Sequence, residues 1–263
     1  LKRVVFILII LLLWTNQVMI TKANGKGEGQ KVPDFQFIVH VLPGQEQIDF
    51  ELILKNNEKH PISFEFPTSQ KYEITLYDQS GQEIYRYSKD RAFLQMIQPL
   101  TIKPESAVTW SESWDYTVKG KRVKAGDYKV VAQLQALKAD GVNIQASKQS
   151  TSIINTTIPE KNPVFRHITV SGEKGEYTVT GEARFMNKSL FYTVEDGHDQ
   201  LIDETKLTPK EKQDTEWEKF KLQLSIRKES IQKNTTLLLF LYERDPKTKA
   251  IINTYPVVLE RFL

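Results

Sequence analysis

The sequence contains no cysteine. That removes thiolate nucleophiles, thiolate metal sites and disulfide cross-links from consideration. It also leaves no cysteine to carry a lipid after an export signal. A chain of this kind placed in an oxidising compartment is held together by its apolar cores alone. Histidine is nearly as scarce: His40, His60, His167 and His198 are the full set. None has a second histidine at metal-ligand spacing. His40 lies in an alternating stretch and His60 precedes Pro61, so both read as structural or solvated side chains. Excess charge of one sign is missing as well. Setting aside Lys2, Arg3 and Lys22 near the N-terminus, 33 acidic side chains face an equal number of basic ones, so the pI near 8.8 belongs to the leader. A balanced chain lacks the basic stripe of a nucleic-acid binder. Gly-rich phosphate loops, a nucleophile elbow and zinc motifs are absent. With no nucleophile–base pair legible, the chain reads as a non-enzyme that needs no cofactor and no metal.

What remains is an ordinary globular composition, 40% hydrophobic and 26% charged over 263 residues. That length makes two domains the prior expectation. The N-terminus begins with Lys2 and Arg3, followed by an unbroken apolar run from Val4 to Trp14. Small residues follow at Thr21 and Ala23. This is the layout of a cleaved signal peptide over residues 1–23. The competing reading is a retained membrane anchor, but the apolar run falls short of the roughly 20 residues a spanning helix needs. In either case the chain is expected to be exported, secreted or associated with the cell envelope. Residues 24–32, rich in Gly and charge, read as a flexible spacer.

From residue 33 onward, apolar side chains recur with period two. Phe35, Phe37, Val39 and Val41 form one set; Ile48, Phe50, Leu52 and Leu54 the next; then Ile62, Phe64 and Phe66, and Tyr72, Ile74 and Leu76. Turn signals separate them at Pro43-Gly44, Asn56-Asn57 and Asp78 to Gly81. Side chains on a strand point alternately to opposite faces, so each set predicts a strand with one buried face. Further sets are Leu100 and Ile102, Val108 and Trp110, and Tyr128 to Leu134. One stretch, Ser88 to Ile97, breaks the period. Phe93, Leu94 and Ile97 fall at helical spacing behind Ser88 as a potential N-cap, which predicts a short helix stopped by Pro99.

Pro159 and Pro163 flank a charged pair, and residues 159–162 read as a linker. Alternation resumes at Ile168 and Val170, Tyr177 and Val179, Phe220 to Leu224, Leu237 to Leu241, and Tyr255 to Leu259. Lys206 to Lys219 is charged and without period, a long connection. The expected fold class is therefore all-β: two tandem immunoglobulin-like β-sandwiches, over 33–158 and 163–263, behind the signal segment. The acidic group Glu195-Asp196, Asp199 and Asp203-Glu204 admits two readings, a calcium loop or a solvated hairpin turn. It lacks the fixed spacing and terminal bidentate carboxylate of the former. The basic run Lys119, Lys121, Arg122 and Lys124 is either a recognition loop or a solvated connection.

Residues 56–134 resemble the bacterial intracellular proteinase inhibitor family, BsuPI. The resemblance is carried by Phe64-Glu65-Phe66-Pro67-Thr68-Ser69-Gln70-Lys71-Tyr72-Glu73, by Tyr85-Arg86-Tyr87-Ser88, by Phe93 and Gln95, by Leu100 and Ile102, and by Ala125-Gly126-Asp127-Tyr128-Lys129-Val130. It implies a small β-sandwich that binds and inhibits a subtilisin-type serine proteinase. Under that resemblance the candidate inhibitory contact loop is Pro67, Thr68, Ser69, Gln70 and Lys71, which is polar, short and held between two strong strands. The second half looks like the immunoglobulin-like domain of bacterial spore germination proteins. It does so through Ile168 to Gly172, Tyr177 to Arg184, Phe220 to Leu224 and Leu239 to Pro246, with a longer charged connection at Lys247 to Lys249. That implies an extracytoplasmic scaffold. The partner implied is a protein, with no nucleic acid, and a membrane only if the N-terminal segment is retained. The alternative function is a cell-surface adhesion or spore or envelope assembly module without inhibitory activity.

Overall fold

The computed structural model describes residues 31–145, 147–186, 188–210, 215–232 and 235–262. The signal segment expected over 1–23 and all but the last two residues of the spacer lie outside the described residues, as do residues 211–214 of the Lys206–Lys219 connection.

The period-two sets become strands, and most of the predicted inward residues are buried; Val41, Leu100, Val108 and Trp110 in the first half, and Ile168, Val170, Leu222 and Val257 in the second, are half-buried. β1 (Phe35–Pro43), β2 (Ile48–Asn56), β3 (Ile62–Phe66) and β4 (Tyr72–Tyr77) follow one another with short turns. Next come β5 (Glu83–Arg86), β6 (Gln98–Ile102), β7 (Ala107–Trp114), and the two-residue strands β8 (Thr117–Val118) and β9 (Lys121–Arg122). β10 (Gly126–Leu134), β11 (Lys138–Ala139), β12 (Val142–Asn143) and β13 (Thr151–Ile158) complete the first half. The second half holds β14 (Phe165–Glu173), β15 (Glu176–Ala183), β16 (Ser189–Glu195), β17 (Gln200–Lys206), β18 (Glu218–Ser225), β19 (Thr235–Arg244) and β20 (Ile251–Phe262). All pairings are antiparallel, in the sheet orders β1-β2-β7, β13-β10-β4-β5, β12-β11-β3-β6, β14-β15-β18 and β17-β16-β19-β20, with β8-β9 as a separate ribbon. The fold class is all-β, arranged as β-sandwiches, with no α-helix among the described residues.

Val32–Leu263 forms one compact unit. It contains two hydrophobic cores. The first draws on Phe35, Phe50, Leu52, Phe64, Ile74, Val130 and their neighbours, up to Ile158. The second begins at Val164 and includes Tyr177, Val179, Phe220, Leu239 and Leu259. Between them, the segment expected as a linker is anchored at both ends. The Pro159 carbonyl accepts from Arg122 Nη2 at 3.0 Å. Asn162 is buried; its Oδ1 accepts from the Val164 and Phe165 N–H groups, and its Nδ2 donates to the carbonyls of Asn253 and Thr254. The turn from β14 to β15 passes through Gly175 at φ 96°, where a Cβ would lie 2.4 Å from the Ile226 carbonyl oxygen. Only glycine satisfies both conditions.

The helix expected over Ser88–Ile97 is absent, and this is a correction. Residues 87–90 form a turn and 91–97 run on without helical or strand structure until β6 begins. The cause is competition from distant partners. The Ser88 N–H, instead of opening a helix, donates to Glu73 Oε1 at 3.1 Å. Asp90 adopts φ 62°, which no helix tolerates. Arg91 turns to Glu112 and Leu94 bonds to Ser69. A helix of this length barely repays its nucleation cost in isolation, so a few such contacts decide the outcome.

A candidate contact surface on the first half

β3 and β4 hold the loop Pro67–Lys71 between them. β3 buries Ile62, Phe64 and Phe66, while β4 is covered on both faces, so that Glu73 and Thr75 are buried as well as Tyr72, Ile74 and Leu76. The loop itself is stiffened by short-range bonds. The Gln70 N–H donates to Thr68 Oγ1 at 3.1 Å, and Gln70 Nε2 donates to the Tyr72 carbonyl at 3.0 Å and to Glu73 Oε2 at 3.2 Å. The Lys71 carbonyl accepts from the Gln135 N–H at 2.9 Å. Lys71 Nζ sits 4.3 Å from the centre of the Phe66 ring, and burial pushes its ammonium below the usual lysine range. Of the five residues expected to form a contact loop, only Ser69 is exposed; Pro67, Thr68, Gln70 and Lys71 are half-buried.

Ser69 leads to a neighbour that the sequence did not suggest. Its N–H donates to the Leu94 carbonyl at 3.0 Å, and the Leu94 N–H donates to Ser69 Oγ at 3.0 Å. The loop and the irregular segment before β6 are thus bonded side by side. Glu73 adds a second tie, since its carboxylate receives both Gln70 Nε2 and the Ser88 N–H. Aromatic rings underlie the segment. Tyr72 contacts Trp110 at 5.9 Å and Tyr87 at 4.8 Å between ring centres, and Tyr87 contacts Phe93 at 6.0 Å. Arg91 lies 4.0 Å over the Tyr87 ring and donates to the Glu112 carboxylate through its two terminal nitrogens, Nη2 at 2.7 Å and Nη1 at 3.1 Å. Its hydrogen bond to Glu112 holds the guanidinium still more firmly protonated. A bidentate pair stacked on an aromatic face is a geometric clamp.

Past Phe93 the apolar side chains turn outward. Leu94 is 58%, Met96 57% and Ile97 61% exposed. Leu94 and Ile97 belong, with Phe93, to the set at helical spacing in the sequence, whereas Met96 does not. Phe93 alone turns toward the aromatic cluster. The available signal was the lack of an apolar partner pattern around residues 94–97, which a single short window cannot show.

In the basic run, Lys119 and Gly120 form the tip between β8 and β9, and Lys119, Lys121 and Lys124 are exposed. Arg122 instead stacks 4.6 Å over Tyr116 and donates to the Gln45 and Pro159 carbonyls. Of the acidic group, Asp196 and Asp199 lie in the turn between β16 and β17, Glu195 ends β16, and Asp203 and Glu204 lie within β17. Asp196 Oδ1 accepts from the N–H groups of Asp199 and His198, which holds its carboxyl below the usual carboxylate range. Among the described residues no group of three potential ligands is placed to hold a metal ion. His40 faces Glu51 at 3.3 Å and His167 faces Glu182 at 3.6 Å, both on the surface. Among the described residues no helix is long and apolar enough to cross a membrane.

Both the Ser69 loop and the Leu94 segment fall inside one matched region. Residues 35–139 match the family model of BsuPI, the intracellular proteinase inhibitor. The BsuPI region spans β1 to β11, and it extends the resemblance seen over 56–134 by one β-hairpin toward the N-terminus. It ends before β13, the strand that closes its sheet. No curated protein matches the chain. Among solved structures, red sea bream transglutaminase is 12% identical over 89% of this chain and 32% of its own, with a TM-score of 0.30. A Bifidobacterium adolescentis GH3 beta-glucosidase is 12% identical over 48% of this chain and 17% of its own, at 0.28. The chicken interferon gamma receptor alpha chain is 8% identical over 89% of this chain and 100% of its own, also at 0.28. The chain thus spans about a third and a sixth of the first two. Likeness at these scores bears on neither partner nor activity.

Proposed function

We propose that this chain is an exported protein whose BsuPI region binds and reversibly inhibits a subtilisin-type serine proteinase, with residues 163–263 as a scaffold module of the spore-germination immunoglobulin-like type. The observation that carries the reading is the match of residues 35–139 to an inhibitor family. The geometry supports it. The loop Pro67–Lys71 is bonded internally and to Leu94, so the cost of ordering it is met before a partner arrives. Export rests on the leader Lys2 to Ala23.

The test uses the full chain expressed with its own leader in a bacterial host. N-terminal sequencing of material from the medium or envelope is expected to start near Asn24; an intact Leu1 in the membrane fraction would favour the anchor. The purified protein is then titrated into subtilisin, chymotrypsin, trypsin and a glutamate-specific serine proteinase. Reversible, stoichiometric inhibition of subtilisin is expected, unchanged by chelator. If the folded protein inhibits none of the four, the inhibitor reading is wrong and the surface-assembly reading replaces it.

A further inference from the structure

The segment between Leu94 and β6 specifies what kind of proteinase fits, given the inhibitor reading above. We infer that Met96, flanked by Leu94 and Ile97, enters the primary specificity pocket of the partner, which is a proteinase that selects large apolar side chains. Three observations carry this. The first is exposure. Leu94, Met96 and Ile97 each leave more than half of their surface in water within four residues of chain. Other exposed large apolar residues, such as Ile153 and Met186, stand singly or in pairs. Clustered apolar exposure marks a binding surface, whereas scattered exposure needs no explanation.

The second observation is the backbone. One end of the segment is fixed by the paired Ser69–Leu94 bonds, and the other by β6, where Gln98 pairs with Phe66. Between them, among the described residues, the main chain of Gln95, Met96 and Ile97 bonds to no other segment. An irregular stretch with free main-chain donors and acceptors is what a proteinase cleft takes up by strand addition, with pockets for alternate side chains. Leu94 and Met96 are two residues apart, the spacing that puts both on one side of an extended chain. Met96 has unbonded backbone on either side, so it is the residue a cleft reaches most fully. Pro99 restrains Gln98 to extended geometry and keeps the exit from the segment stiff.

The third observation is the root. Phe93 packs on Tyr87, and Arg91 clamps Glu112 over the same ring, so the exposed residues stand on a fixed base. An unbranched thioether side chain adapts to an apolar pocket without demanding one shape.

The experiment measures inhibition constants of the full chain toward subtilisin and trypsin, with thermal midpoints recorded for every variant. Met96→Asp and Leu94→Asp are each expected to weaken subtilisin inhibition at least about 30-fold, the scale of a hot-spot side chain, with midpoints unchanged because both side chains are exposed. Met96→Leu is expected to retain inhibition, and Met96→Lys to move it toward trypsin. If the wild-type chain inhibits subtilisin and both Asp variants stay within twofold of it, the inference is overturned while the inhibitor reading stands. The same holds if the wild-type chain inhibits only trypsin or the glutamate-specific enzyme. If Met96→Asp instead converts a dimer to a monomer in sedimentation without changing inhibition, a second copy of the chain covers this patch and the inference is overturned. If the wild-type chain inhibits no proteinase, the inhibitor reading fails and this inference fails with it.

Discussion

Replacing Phe50 with Ala is expected to cost about 3–5 kcal/mol of stability, while Glu51→Ala costs less than about 1 kcal/mol. The two residues are adjacent on β2 and occupy opposite faces of it. Phe50 is 1% exposed and lies in the middle strand of the sheet β1-β2-β7, opposite Val41 and Glu112 in register. Its ring belongs to the cluster that includes Phe35, Leu52, Phe64 and Val130. Truncation removes apolar burial and leaves a cavity that strands bonded on both sides cannot collapse into. Glu51 points outward, toward His40 at 3.3 Å, in a polar contact open to solvent and worth little. Urea unfolding of both variants gives the comparison, provided the m-value is unchanged. Equal shifts in midpoint would mean that the strand register is wrong, since a slip of one residue exchanges the two faces.

Asn56→Ala is expected to destabilise by about 3 kcal/mol, on the order of two to three stranded buried hydrogen-bonding groups, and Asn57→Ala by less than about 1 kcal/mol. Asn56 is fully buried at the end of β2. Its Nδ2 donates to the carbonyls of His60, Ile102 and Lys103 at 2.8, 3.0 and 3.1 Å, and its Oδ1 accepts from the Glu58 N–H at 2.7 Å. One side chain therefore closes the β2–β3 turn and fastens it to the end of β6. Alanine leaves those acceptors without a donor where water has little access. Asn57 makes one long side-chain bond, 3.3 Å to Asp34, near the surface. Thermal and denaturant unfolding of the two variants separate the roles. A near-silent Asn56→Ala would show that water replaces the lost donor, and that the turn holds without the side chain.

The Asn56-Asn57 pair also shows where reading a sequence stops. Both residues signal a turn, and the turn is there. Nothing local distinguishes the one that is buried, because its partners Ile102 and Lys103 are contributed by a strand far along the chain. Asn162 repeats the lesson at the end of the segment expected as a linker, with partners at Asn253 and Thr254.

The alternating sets, by contrast, were legible throughout the first half. Ile48, Phe50, Leu52 and Leu54 are all buried, as are Ile62, Phe64 and Phe66. Period-two burial follows from the geometry of a single strand, so it is written in consecutive residues and needs no knowledge of what the strand packs against. The all-β class, the strand faces, most of the turns and the Phe64–Tyr72 resemblance to the inhibitor family are local properties of this kind. The segment from Ser88 to Ile97 is not. Its composition suits a helix, but Glu73, Glu112, Tyr87 and Ser69 each hold part of it in another conformation. Tyr87 adjoins the segment, but Glu73, Glu112 and Ser69 become its neighbours only when β4, β7 and the β3–β4 loop have assembled. The tertiary structure therefore decided that Leu94, Met96 and Ile97 face water, because a short helix gains too little from its own hydrogen bonds to outweigh contacts made from outside the segment.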